Sequence, residues 1–142
     1  MTPRELVDAY AICADRRDTD SFAALFASDA TLTTYARDGS ERHTFTGVGE
    51  IASIPERLRR YERTMHHVTS HLVVPAGPGR STGEAYCLAH HLDRREDGLL
   101  IDHLLQIRYV DTYEQLDGAR WRFTRREVRT EWVDDRLISS TG

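Results

Sequence analysis

Three side chains in this 142-residue chain have the types and settings that proton transfer needs: Asp15, His66 and His91. Asp15 falls near the C-terminal end of a first helix and borders that helix's apolar arc beyond Ala11. The helix macrodipole opposes negative charge there and partial burial penalises it, so both effects raise a carboxyl pKa toward that of a general acid or base. Asp15 also opens the charged run Asp15-Arg16-Arg17-Asp18, where the bland alternative is a solvated carboxylate beside an arginine. His66 sits in the strand-like segment Thr64-Met65-His66-His67-Val68-Thr69-Ser70-His71-Leu72-Val73-Val74. Alternate strand residues share a face, so His66 travels with Val68, Ser70, Leu72 and Val74, and His67 with Met65, Thr69, His71 and Val73. The first set is the more apolar and turns His66 inward. An imidazole aimed at a cavity can move a proton near neutral pH, and the competing reading is a core histidine held by a backbone carbonyl. Metal binding is the weakest reading, because His67 and His71 point away from His66.

His90 and His91 are adjacent and must face opposite ways. Cys87, Ala89 and His91 make a face of small side chains with room for a ligand, whereas Tyr86, Leu88 and His90 make a bulky face suited to a core or an interface. Size favours His91 as the second pocket histidine, with His90 the alternative. Trp121 and Phe123 read as core, Tyr109 as a phenol on the preceding strand, and Arg126 as the choice for a cation turned into the pocket, against the bland alternative of a solvated arginine on a surface strand. No Gly-rich phosphate loop, GxSxG elbow or HExxH motif occurs, so nothing supports phosphoryl, hydride or zinc-protease chemistry.

The elements that must hold these residues follow from patterning. Thr2-Pro3-Arg4-Glu5 is a capping box with proline at the first helical position, and Leu6, Val7, Tyr10, Ala11, Cys13 and Ala14 form one arc of a helix over residues 3–17. A second short helix is expected over 20–27 and a third, broken by Pro55, over 51–60. Between them lie a strand from Thr31, a turn at Arg37-Asp38-Gly39-Ser40 and a short strand near His43. From Thr64 the chain is nearly all strand, with turns at 75–80, 94–98 and 114–118. Helices first and an antiparallel meander after give an α+β fold: about three N-terminal helices on a strongly curved, mostly antiparallel sheet enclosing a pocket. One domain over 1–137 with a frayed tail over 138–142 is expected.

A net charge of −4 with no basic stripe argues against nucleic acid. No apolar run reaches membrane-spanning length and the start lacks a secretory pattern, which points to the cytoplasm. Cys13 and Cys87 stand in apolar segments and form no disulfide framework. The bulky outer face points to a homodimer.

The residues then resemble a family. Tyr10…Asp15-x-x-Asp18…Phe22-x-x-Leu25-Phe26-x-x-Asp29-Ala30, Thr64-x-His66…Ser70, Gly83-Glu84-Ala85-Tyr86 and Tyr109-x-Asp111…Asp117-Gly118…Trp121…Arg126 together look like the SnoaL-like branch of the nuclear-transport-factor-2-like superfamily. That branch includes scytalone dehydratase, bile-acid dehydratase and polyketide cyclases. The resemblance implies a cone-shaped roll and an aspartate-histidine pair matched by Asp15 and His66, with His91 at the position of a second active-site histidine. It implies a cofactor-independent lyase, isomerase or cyclase acting on a small hydrophobic substrate, with no metal. The substrate would be lined by Tyr10, Ala14, Thr34, Cys87, Ala89, Tyr109 and Arg126, Ala14 and Thr34 standing where scytalone dehydratase carries water-holding tyrosines. A non-catalytic binding or assembly module is the reading from a different class.

Overall fold

The structure, a computed structural model, describes residues 1–118 and 120–139. Helix α1 (Pro3–Arg16) begins at the expected capping box: the Thr2 hydroxyl accepts the Glu5 amide at 3.2 Å and the Glu5 carboxylate accepts the Thr2 amide at 2.8 Å. It buries Leu6, Val7, Tyr10, Ala11 and Ala14. The helix ends on Arg17 in the left-handed region at φ 57°, with the Arg17 amide on the Ala14 carbonyl and the Asp18 amide on the Cys13 carbonyl.

Helix α2 (Thr19–Ala23) is capped by Asp18 and stops four residues short of expectation. Strand β1 (Phe26–Tyr35) takes over because Phe26 is captured by β6 (Arg120–Leu137): the Phe123 amide donates to the Leu25 carbonyl at 2.9 Å, and the Phe26 and Phe123 rings stack at 4.9 Å. After β2 (Glu41–Thr46), the expected third helix is realised as consecutive short turns, α3 (Gly47–Ile51), α4 (Ile54–Arg57) and a 3₁₀ turn (Leu58–Arg60). Strands β3 (Arg63–Pro75), β4 (Arg80–Arg94), β5 (Leu100–Leu116) and β6 form the meander.

The sheet order is β2-β1-β6-β5-β4-β3, antiparallel throughout except for the parallel β1–β6 pair. The helices cover its concave face over a core of Tyr10, Phe22, Phe26, Tyr109, Tyr113 and Phe123. Gly83 is required by packing: a Cβ there would lie 2.6 Å from the Tyr113 hydroxyl. A bulge between Val68 and His71 on β3 shifts the alternation by one residue. His71, expected to point away, therefore rejoins the inner face and meets the Tyr113 hydroxyl at 3.0 Å, while Leu72 and Val74 turn outward.

Of the expected tail, Ile138 and Ser139 are described, and the Ile138 amide donates to the Leu100 carbonyl at 2.9 Å. Residues 140–142 lie outside the described residues. Among the described residues no helix is long and apolar enough to cross a membrane.

Candidate active site

Helix α1 delivers Asp15 to the first residues of β3. Asp15 Oδ1 lies 2.6 Å from His66 Nδ1, and Asp15 Oδ2 accepts the His66 backbone amide at 2.9 Å. The Thr64 hydroxyl donates to Asp15 Oδ1 at 3.0 Å and itself accepts from the Arg17 guanidinium at 2.6 Å. Both carboxylate oxygens are thus engaged. Burial pushes the Asp15 carboxyl up, but the hydrogen bonds and charge of His66, with Thr64, outweigh it and hold the group below its ordinary range. This corrects the expectation of a raised pKa: Asp15 is an anion that orients His66. A carboxylate on Nδ1 requires Nδ1–H, which leaves Nε2 of the neutral ring as the basic nitrogen.

His91 shares the inner face as the small-side-chain argument requires. Its ring lies 5.7 Å from that of His66 and 4.9 Å from that of Tyr61. Its Nδ1 donates to the His103 carbonyl at 3.0 Å. Burial, reinforced by neighbouring His66, pushes His91 down to about 4, so it stays neutral and presents an Nε2 lone pair.

A cavity of about 780 Å³ is bordered by Asp15, Arg17, Tyr61 and Thr64 and runs on past Met65, His67, His90 and Leu92; Asp15 reaches it, whereas His66 and His91 lie behind its lining. The Asp15 side chain is 22% exposed and that of His66 7%. Tyr10, Ala14, Cys87, Ala89, Tyr109 and Arg126 do not border this cavity. They are buried in the core.

Arg126 is the clearest departure: it is no pocket cation. Its guanidinium is 0% exposed, forms two hydrogen bonds to Asp111 at 2.9 and 3.2 Å, and lies over the rings of Tyr109, Tyr10 and Phe123 at 3.6, 4.1 and 4.5 Å. Asp111 neutralises the buried charge and the aromatic faces surround it. Tyr109 and Tyr10 are consequently walls of that charge, with burial raising the Tyr109 phenol well above its ordinary value and Tyr10 to about 12. Thr34 lies at the far end of β1, hydroxyl to the His43 carbonyl at 3.4 Å, away from Asp15 and His66.

Sequence reasoning missed Arg17. Its Nη1 bonds the Ala14 and Asp15 carbonyls at 3.1 and 3.0 Å besides Thr64, and its Nη2 bonds the Leu58 carbonyl at 3.1 Å. One side chain ties the end of α1, the 3₁₀ turn and β3 together around Asp15. The charged run Asp15-Arg16-Arg17-Asp18 carried the only hint. Among the described residues, no group of three or more His, Cys, Asp or Glu is arranged to hold a metal ion.

A model of the SnoaL-like domain matches residues 4–127. The chain belongs to the SnoaL-like domain family. No curated protein matches this SnoaL-like chain. Solved structures do. A provisionally assigned scytalone dehydratase from Novosphingobium aromaticivorans is 23% identical, aligned over 96% of this chain and 86% of that one at a TM-score of 0.75. Hexachlorocyclohexane dehydrochlorinase LinA-type3 from Novosphingobium barchaimii is 19% identical, with 96% and 88% covered and a TM-score of 0.77. The β subunit of a provisionally assigned aromatic-ring-hydroxylating dioxygenase from N. aromaticivorans is 18% identical, with 92% and 88% covered at 0.73. These likenesses establish the shared fold.

Proposed function

We propose that this SnoaL-like protein is a cofactor-independent lyase of the dehydratase kind, acting in the cytoplasm as a single domain over residues 1–137 on a small apolar or polycyclic, polyketide-like substrate. The observation that carries the reading is the 2.6 Å contact between Asp15 and His66, with both Asp15 oxygens satisfied. His66 Nε2 removes a proton from carbon beside a carbonyl; the carbon–carbon double bond forms as the β-hydroxyl leaves, and the proton returns from His66 to that hydroxyl, releasing water. Atoms balance without an external acceptor. Neutral His91 accepts the hydrogen bond of the substrate hydroxyl and so aims the leaving group. Tyr61, at the mouth, takes the oxyanion role that Tyr109 and Arg126 are too buried to fill. The same pair would serve an isomerase, in which the abstracted proton returns to another carbon, or a cyclase, in which the carbanion attacks a second carbonyl of the substrate and the proton passes to the alkoxide so formed. A homodimer forms through the outer apolar patch of Leu72, Val74, Tyr86 and Val110.

A binding or assembly role has one observation in its favour: the interior beneath the pair is filled by Tyr10, Tyr109 and Arg126. The experiment is to incubate the protein in D₂O with cyclic β-hydroxyketones and follow water loss and deuterium uptake by mass spectrometry. Turnover that disappears in His66→Ala and persists in His67→Ala supports the lyase. Binding without deuterium uptake or water loss supports the module.

A further inference from the structure

The outer face of the sheet carries a second imidazole–carboxylate pair that the proposed reaction does not use. Asp102 on β5 has a side chain only 5% exposed, which is costly for a carboxylate unless both oxygens are bonded. Oδ2 lies 2.5 Å from His90 Nδ1, and Oδ1 accepts the His91 backbone amide at 3.2 Å. The bond to the carboxylate puts the proton of neutral His90 on Nδ1 and leaves Nε2 as an acceptor. His90 is 34% exposed, against 7% for His66, and the His67 ring stands edge-on to it at 5.3 Å. These imidazoles, with Met65, Leu92 and Ile138, line the same 780 Å³ cavity that Asp15 and Thr64 border. That volume lies within the roughly 300–1,000 Å³ of small-molecule sites. An exposed surface histidine needs none of this support; a histidine whose tautomer is set by a buried carboxylate and which lines a cavity of mixed apolar and charged side chains does.

We infer that the His90 end of this cavity is a small-molecule subsite of its own, and that it takes an aromatic or enolic compound bearing an acidic hydroxyl. His90 Nε2 accepts the hydroxyl hydrogen, Met65, Leu92 and Ile138 hold the apolar body, and Arg63 in the same lining can donate to the hydroxyl oxygen. The inference is independent of catalysis at Asp15 and His66, since it needs neither residue to react.

The test titrates the full chain with 4-nitrophenol, using nitrobenzene as the probe that lacks the hydroxyl, and follows histidine ring resonances by NMR. Saturable shifts at His90 and His67, with nitrobenzene at least about tenfold weaker, are expected. His90→Gln is the informative variant: its amide still donates to Asp102, so the carboxylate keeps a partner, but no basic nitrogen faces the cavity. It should weaken 4-nitrophenol by about tenfold while nitrobenzene binding and thermal unfolding stay unchanged. Equal binding of the two probes, or shifts confined to His66 and His91, would overturn the inference. So would sedimentation showing a dimer that protects His67 and His90, since a second copy would then occupy the groove.

Discussion

At the scale of single residues, the site depends on who holds the charge of Asp15. A carboxylate at a helix C-terminus is opposed by the macrodipole, and here Arg17 answers it by donating to the terminal carbonyls of α1 and, through Thr64, to Asp15 itself. Arg17 does so from a left-handed backbone at φ 57°, a conformation that costs a non-glycine residue about 1 kcal/mol. The two effects separate by substitution. Arg17→Gly should be more stable than Arg17→Ala by about 1 kcal/mol in urea denaturation, because only glycine relieves the backbone. Both should lose most turnover, and Arg17→Lys should recover part of it by returning the positive charge. Equal stability of the glycine and alanine variants would refute the strain argument. Asp15 and His66 were legible in the sequence because helix end and strand alternation are local patterns; Arg17 was not, since its role depends on Leu58 and Thr64, more than forty positions away.

At the scale of elements, strand alternation reads correctly until a bulge interrupts it. Cys87, Ala89 and His91 face inward as their sizes suggest, because β4 is regular there. His71 was misplaced because the irregularity after Val68 leaves no mark in residue type. The inward turn of Arg126 was also readable, but its partner Asp111 lies fifteen positions earlier on the neighbouring strand, and only the β5–β6 register reveals the pairing. The end of α2 was overrun because Leu25 and Phe26 fit a helical face as well as a strand. The inner face of β4 also carries Gly83 against Tyr113, whose hydroxyl donates to Asp111 at 2.9 Å. Gly83→Ala should therefore cost about 1–3 kcal/mol, since the ring must move out of a bonded position. A denaturation midpoint within error of wild type would show that Tyr113 yields freely.

At the scale of the whole molecule, buried neutral His91 ties folding to pH. Its folded pKa of about 4 lies below the ordinary 6.5, so the unfolded chain takes up the proton first as the solution is acidified. The contribution is complete above about pH 6.5 and is lost as pH falls toward about 4, amounting to about 3 kcal/mol. Asp15, held low, adds a separate loss below the ordinary carboxylate range. Urea midpoints should fall between pH 7 and pH 4.5, and His91→Gln should flatten that fall; an unchanged slope would show that His91 is protonated without cost. The measurement that bears most directly on the function is a double-mutant cycle of turnover on any β-hydroxyketone the protein dehydrates, with wild type, Asp15→Asn, His66→Ala and both together. If carboxylate and imidazole act as one unit, the double variant should be no slower than His66→Ala alone. A double variant slowed by the product of the two single effects would contradict it.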